Sequence, residues 1–278
     1  MMIFMRFPEG RKKALTLSYD DGVRQDKRLV SIMNKYGIKG TFNVNSGCFA
    51  ADDTLPNGEE KGRMSLTEAV NCYSVGGHEI AVHTYTHPFL NLVPSDNMAY
   101  EVVKDRERLE DIFGGIVKGM AYPMGTTSNE TIEVLRACGI SYARTTRATE
   151  RFDIPTDWLK LDPTCHHKNP RLKELSHSFV SNNAAKLPML FYLWGHSYEF
   201  DNDDNWEVIE EFCSFMGKRE DIWYATNIEI FDYVEAYKRL KTSANGKTLY
   251  NPTDKTIWFG IKQNTEVVSI QPGQMIKL

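Results

Sequence analysis

The chain has no apolar run approaching the ~20 residues that a bilayer-spanning helix needs, so no membrane is expected among its partners. It has no excess of positive charge. The formal net charge is −4, which gives nucleic acid no electrostatic footing. It has no cysteine framework. Cys48, Cys72, Cys138, Cys165 and Cys213 are scattered, odd in number and without a CxxC spacing. That argues against disulfides or a cysteine zinc site and fits a reducing compartment. Each reads as a small buried hydrophobe. Internal repeats and low-complexity tracts are also missing. The opening MMIFMRFPEGRKK places its charges after a short apolar segment, the reverse of a secretory signal. A cytoplasmic location is therefore expected, with a processed piece of a secreted precursor as the alternative.

What is present is an alternation of short apolar runs with longer amphipathic ones. With 278 residues, 41% of them hydrophobic, a large core is affordable. Strands are predicted over 14–19, 40–45, 78–82, 117–122, 141–146, 157–162, 188–194 and 222–226. Helices are predicted over 24–36, 66–75, 95–113, 128–138, roughly 170–186, 205–217 and 227–241. Ser65 followed by Glu68 forms a capping box before the second helix, and Gly37 closes the first. Strand then helix, repeated over about 240 residues, implies a parallel sheet. A distorted (β/α) barrel of seven or eight strands over 1–241 is the expected architecture, and an open doubly wound sheet is the alternative. After Thr242 the texture changes to short β-like runs (257–262, 266–270, 274–278) between Asn-Gly, Asn-Pro and Pro-Gly turns. Residues 242–278 are expected to form a small β-rich extension.

In parallel α/β folds the reactive groups sit just past the carboxyl ends of the strands. Here Asp20-Asp21-Gly22 follows the first strand, and His83 and His87 follow the third. Pro123-Met124-Gly125 follows the fourth, and Gly195-His196 ends the run MLFYLW. His83 and His87 are four residues apart, one helical turn, which would bring two imidazoles to a single ion. A carboxylate from another strand end would complete a His-His-Asp set with an open position. Adjacent residues of an extended chain point opposite ways, so one aspartate would ligate while the other stays free as a base. His196 is a candidate general acid. His166 and His167, in DPTCHH past another strand end, are candidate substrate contacts, set against a turn with exposed imidazoles. Trp194, Tyr198 and Trp206 are candidates to stack on a substrate ring, each set against ordinary core packing. His78 and His177 read as structural and exposed, respectively.

Taken in order, these stretches resemble the polysaccharide deacetylases, the NodB-homology domain of carbohydrate esterase family four. LSYDDG (17–22) is similar to the family's T-F-D-D-G. HTYTH (83–87) matches H-S/T-x-x-H fully, and MAYPMG (120–125) matches R-x-x-P-Y-G through Pro123 and Gly125. LWGH (193–196) approximates L-x-H. The resemblance covers about 14–235 and implies a metal-dependent hydrolase removing acetyl groups from N-acetylated sugars or polysaccharide. It implies Asp21, His83 and His87 as ligands of a divalent metal, zinc first, with Co, Mn, Ni or Fe as alternatives. It also implies Asp20 as base and His196 as acid. Tyr122, Pro123 and Gly125 would line the substrate site, a backbone N–H near Tyr122 holding the oxyanion. Two members of the pattern are missing: the arginine that orients the base and the aspartate that tunes the acid. Arg144, on the next strand, is the candidate replacement for the arginine. Rival readings are a related hydrolase of another amide, such as a cyclic ureide, or of O-acetyl esters, and a barrel that binds carbohydrate or metal without turnover.

Overall fold

The computed structural model describes residues 3–51, 62–183, 187–261 and 266–278. The chain begins β1 (Ile3–Arg6), β2 (Lys13–Asp20), α1 (Asp26–Lys35), β3 (Gly40–Val44), α2 (Leu66–Tyr73), β4 (Glu79–Val82) and α3 (Ser95–Phe113). It continues with β5 (Gly119–Ala121), α4 (Asn129–Ala137), β6 (Tyr142–Arg144), β7 (Cys165–His166), α5 (Leu172–Ser181) and β8 (Met189–Gly195). Then come α6 (Tyr198–Asn202), α7 (Glu207–Met216), β9 (Ile222–Tyr224) and α8 (Asn227–Lys238). The final strands are β10 (Lys241–Thr242), β11 (Thr248–Tyr250), β12 (Ile257–Ile261), β13 (Glu266–Ile270) and β14 (Met275–Lys277). Positions 184–186 of the predicted fifth helix and residue 262 of the strand predicted over 257–262 lie outside the described residues.

The central sheet runs β6-β5-β4-β3-β2-β8-β7, with β9 pairing the first half of β2. Every pairing in it is parallel. It curls into a distorted (β/α) barrel whose edges are β6 and β7, as the alternating pattern implied. All eight residues of β2 are buried, as expected where helices cover one face and a packed interior the other. Its alternation sorts them. Leu15, Leu17 and Tyr19 join the core beneath the helices. On the inner face, Thr16 donates to Asn227 (2.9 Å), and Ser18 and Asp20 both accept from Asn43 (2.8 Å each). The period of two therefore aims Asp20 into the barrel.

The helices follow their sequence signals. Leu29, Ile32 and Met33 form the buried stripe of α1, and Gly37 beyond it takes φ 68°. The capping box of α2 has both arms: the Ser65 amide donates to Glu68 (2.9 Å) and the Glu68 amide to Ser65 Oγ (3.3 Å). His78 braces the lower ends of β3 and β4, accepting from the Gly40 amide (3.2 Å) and meeting Asn34 Oδ1 (3.1 Å). All five cysteines are free. Among the described residues, no helix is long and apolar enough to cross a membrane.

Some elements differ from the sequence expectation. Residues 157–162 are not a strand. Trp158–Lys160 is one 3₁₀ turn, capped by Asp157, and only Leu161 bridges to Arg144. The next sheet strand is instead β7, two residues long, too short to show any alternation. β1, assigned with the barrel, pairs antiparallel with β12 instead. Phe7, Ile257 and Phe259, fully buried, pack with Tyr233 of α8 in a second core, and Tyr233 donates to the Arg6 carbonyl (2.7 Å).

That second core generates a prediction. Phe259→Ala should cost about 3–5 kcal/mol and lower the urea midpoint of one cooperative transition for the whole chain. Two transitions, with the barrel's unchanged, would make the C-terminal strands an independent unit.

Candidate active site at the strand ends

β2 ends at Asp20, and the next residue turns sharply: Asp21 has φ 84° and Gly22 φ 65°. The two carboxylates therefore do not point to opposite faces, as an extended chain would have them. The left-handed turn brings both to one place, with Asp20 Oδ2 and Asp21 Oδ1 each 3.9 Å from His83 Nε2. The HTYTH stretch is likewise a loop and not a helical turn, with Thr84 and His87 at φ 66° and 64°. The loop still places the imidazoles together, ring centroids 4.8 Å apart, and His87 Nε2 is 3.6 Å from Asp21 Oδ1. Left-handed non-glycine residues are costly and gather at functional sites.

Three donor atoms, one each from Asp21, His83 and His87, lie within 4.8 Å of one another. Tetrahedral zinc with ~2.0–2.1 Å bonds sets its donors roughly 3.3 Å apart, so a small contraction would seat an ion. The His83 tautomer suits that use. Its Nδ1 faces the Ala121 carbonyl at 2.8 Å, which can only accept, so the lone pair is on Nε2. Burial pushes His83 down to about 4, against the pull of Asp20 and Asp21, and keeps it neutral. Burial pushes Asp21 up, but His83 and Arg63 outweigh it and hold the carboxylate below its usual range. The residues present fit a divalent ion through two imidazoles, a carboxylate and an open side.

Asp20 is 2% exposed. Its Oδ1 accepts from Asn43 and its Oδ2 from Arg144, whose side chain is fully buried. Burial alone would raise its pKa; Arg144, His83 and His196 reverse the sign and keep it ionised. Arg144 thus stands where the missing arginine would act. Across from it, His196 Nε2 lies 3.8 Å from Asp20 Oδ2. Its Nδ1 is 3.3 Å from Glu199 Oε2, and its amide donates to the same oxygen at 3.2 Å. Burial lowers the His196 pKa, but the Glu199 bond and Asp20 more than compensate, so it lies above 6.5.

Other candidates fall elsewhere. Trp194 offers no platform for a sugar: the Arg144 guanidinium covers its ring at 4.3 Å and His166 abuts it edge-on at 4.5 Å. Trp206 is buried beneath Arg28 and donates to Asp201 (2.7 Å). His166 lies within β7, not past a strand end, and its Nε2 meets Glu199 at 3.1 Å. Tyr122 is buried, its hydroxyl on the Leu159 carbonyl (2.8 Å) and its amide donating to the Arg144 carbonyl (3.0 Å). That amide is therefore committed. Met124, two residues on, is exposed at φ 55°. Pro123 is buried, and Gly125 is required by φ 68° and by Thr146, 2.2 Å from where a Cβ would sit. Both shape the turn that presents Met124.

Four supporting residues carried no sequence signal: Asn43; Arg63, which donates to Asp21 (3.2 Å) and Asn45 (3.0 Å); Asp105, which accepts from the amides of His83 (3.0 Å) and Ser46 (2.7 Å); and Asp26, which accepts from Ser197 and Tyr73 (2.5 Å each). Glu199 had a faint one, since HSYE has the three-residue spacing of a carboxylate reaching back to an N-terminal amide.

The polysaccharide deacetylase family model matches residues 8–143, the stretch that carries β2, the Asp-Asp pair and the two histidines. This stretch belongs to the polysaccharide deacetylase family. A Mycobacterium smegmatis protein proposed to be a polysaccharide deacetylase is 17% identical, with TM-score 0.59 over 85% of this chain and 95% of that one. The Xyl-CE4 domain of a multidomain xylanase from the Trinervitermes trinervoides hindgut metagenome is 17% identical, with TM-score 0.53 over 85% and 100%. A chitin deacetylase from Colletotrichum lindemuthianum is 18% identical, with TM-score 0.52 over 82% and 90%. These likenesses are of fold. No curated protein matches the chain in sequence.

The Glu199 contact predicts a titration. An anion beside the imidazole favours the charged ring, so removing it leaves burial to lower the pKa. In NMR titrations, His196 should have its midpoint above 6.5 in the wild type. In Glu199→Gln the midpoint should fall relative to the wild type. An unchanged midpoint would remove Glu199 from this role.

Proposed function

We propose that this polysaccharide deacetylase domain is a metal-dependent hydrolase that removes acetyl groups from N-acetylated sugars. The observation that carries the reading is the convergence of Asp21, His83 and His87 beside an ionised Asp20 and a protonatable His196. A divalent ion, zinc by the imidazole and carboxylate donor set, would lower the pKa of water toward ~7 and polarise the acyl oxygen. Asp21, His83 and His87 would hold it.

The chain's own groups supply the rest. Asp20, held by Arg144 and Asn43, takes the proton from the attacking water. A backbone N–H of the Pro123–Gly125 turn, that of Met124 first, would donate to the developing oxyanion, a contact typically worth ~3 kcal/mol. His196, on the other side, gives its Nε2 proton to the leaving nitrogen. An amine leaves poorly without a proton, so a raised imidazolium suits an amide more than an ester. The description of one structural relative as a chitin deacetylase supports an N-acetylated glycan as substrate.

The test is acetate release from N-acetylglucosamine oligomers and from acetylxylan, with ring opening of allantoin as a third arm. Release from the oligomers is expected, and Asp20→Asn should cut kcat roughly 10²–10⁴-fold while metal content stays the same. Metal-loaded protein inactive on every substrate would favour a binding barrel. Turnover of acetylxylan or allantoin alone would move the chemistry to esters or ureides.

A further inference from the structure

We propose that His166, His196 and Glu199 form a second divalent-cation site whose filling switches the enzyme off. The donor atoms already stand at coordination spacing. Glu199 Oε2 is 3.1 Å from His166 Nε2 and 3.3 Å from His196 Nδ1. All three atoms lie within 4.8 Å of one another, and all three residues are half-buried, open to an incoming ion. Tetrahedral zinc wants its donors roughly 3.3 Å apart, so these edges need less adjustment than the 3.6–3.9 Å of the first cluster.

An independent sign comes from His167. It is 3% exposed, and among the described residues neither of its ring nitrogens has a hydrogen-bond partner. Its Nε2 is nonetheless aimed at the same Glu199 oxygen, 3.3 Å away. A buried polar group without a partner is costly, and an ion beside Glu199 would give this lone pair a use. On the far side, Lys168 Nζ lies 3.5 Å from Glu199 Oε1. That positive charge opposes a cation and makes this the weaker of the two sites.

The consequence for turnover rests on the reading of His196 as the acid. An ion on Nδ1 takes the lone pair that must be protonated to make imidazolium, and one proton leaves Nδ1 for solvent. The Nε2–H that still faces Asp20 then belongs to a metal-bound neutral ring, a far weaker acid than imidazolium. The leaving nitrogen goes unprotonated and the amide is not cleaved.

Calorimetric titration of the metal-free protein with Zn²⁺, paralleled by Co²⁺ absorption, tests this. Two classes of site are expected in the wild type. The weaker should vanish in both Glu199→Gln and His166→Asn, while the tighter remains. Deacetylation should rise to one equivalent and fall on the second. In His166→Asn, measured against its own rate at one equivalent, the inhibiting Zn²⁺ concentration should rise at least about tenfold. A single class in the wild type, or a weaker class kept in both variants, overturns the second site. Two classes with no turnover of any substrate would leave the site standing and bring down the catalytic reading instead.

Discussion

The contact between Arg144 and Asp20 is the constraint around which the molecule is built. The two residues sit on β6 and β2, four interstrand steps apart in the sheet order. At ~4.8 Å per step a flat sheet would separate them by about 19 Å, far beyond the reach of an arginine. They touch because the sheet curls and Arg144 crosses the interior, lying over Trp194 of β8 on the way. Both charges are almost fully buried. Each alone would be severely penalised there, and together they are tolerable. The curl of the barrel and the ionisation of Asp20 are therefore one requirement seen at two scales.

The same site concentrates unfavourable backbone. Asp21, Thr84, His87 and Met124 all have positive φ without being glycine, at a cost of order 1–3 kcal/mol each. Local bonds offset part of it. The His87 amide donates to Thr84 Oγ1 (3.1 Å), and Asn45 donates to the carbonyls of His83 and Thr84. Asp105 accepts from the His83 amide (3.0 Å), tying the loop to α3. What the strain achieves is convergence: without the turn at Asp21 its carboxylate would leave the barrel on the face opposite Asp20.

This explains what the sequence could disclose. Long periodic segments such as α1 and α3, and the buried run of β2, were legible because burial dictates their pattern over several turns or pleats. Residue types at strand ends were legible too, and Asp20, Asp21, His83, His87 and His196 do converge. How they meet was not. The spacing of His83 and His87 suggested a helical turn, and adjacency of the aspartates suggested opposed side chains; both depend on φ values that residue types do not declare. Trp194 looked like a sugar platform because sequence cannot reveal that a guanidinium from β6 covers it. Arg63 was invisible for the same reason: its partners Asp21 and Asn45 are set by loops, not by periodicity.

Asp20 and His196 face each other across 3.8 Å, and left alone they would answer to the same burial. Burial raises a carboxylate and lowers an imidazole, which would bring their titrations together. The supporting charges act in the opposite sense. Arg144 pulls Asp20 below its ordinary range, and Glu199 lifts His196 above 6.5. The interval in which Asp20 is ionised and His196 still protonated is thus widened from both ends. Two carboxylates and two cations alternate across the site, each second-rank charge serving one working group. A fold that supplied only the arginine would keep Asp20 ionised and leave His196 more open to the downward pull of burial. The half-turn of α6 that carries Glu199 under His196 is therefore as much a part of the site as the strand ends themselves.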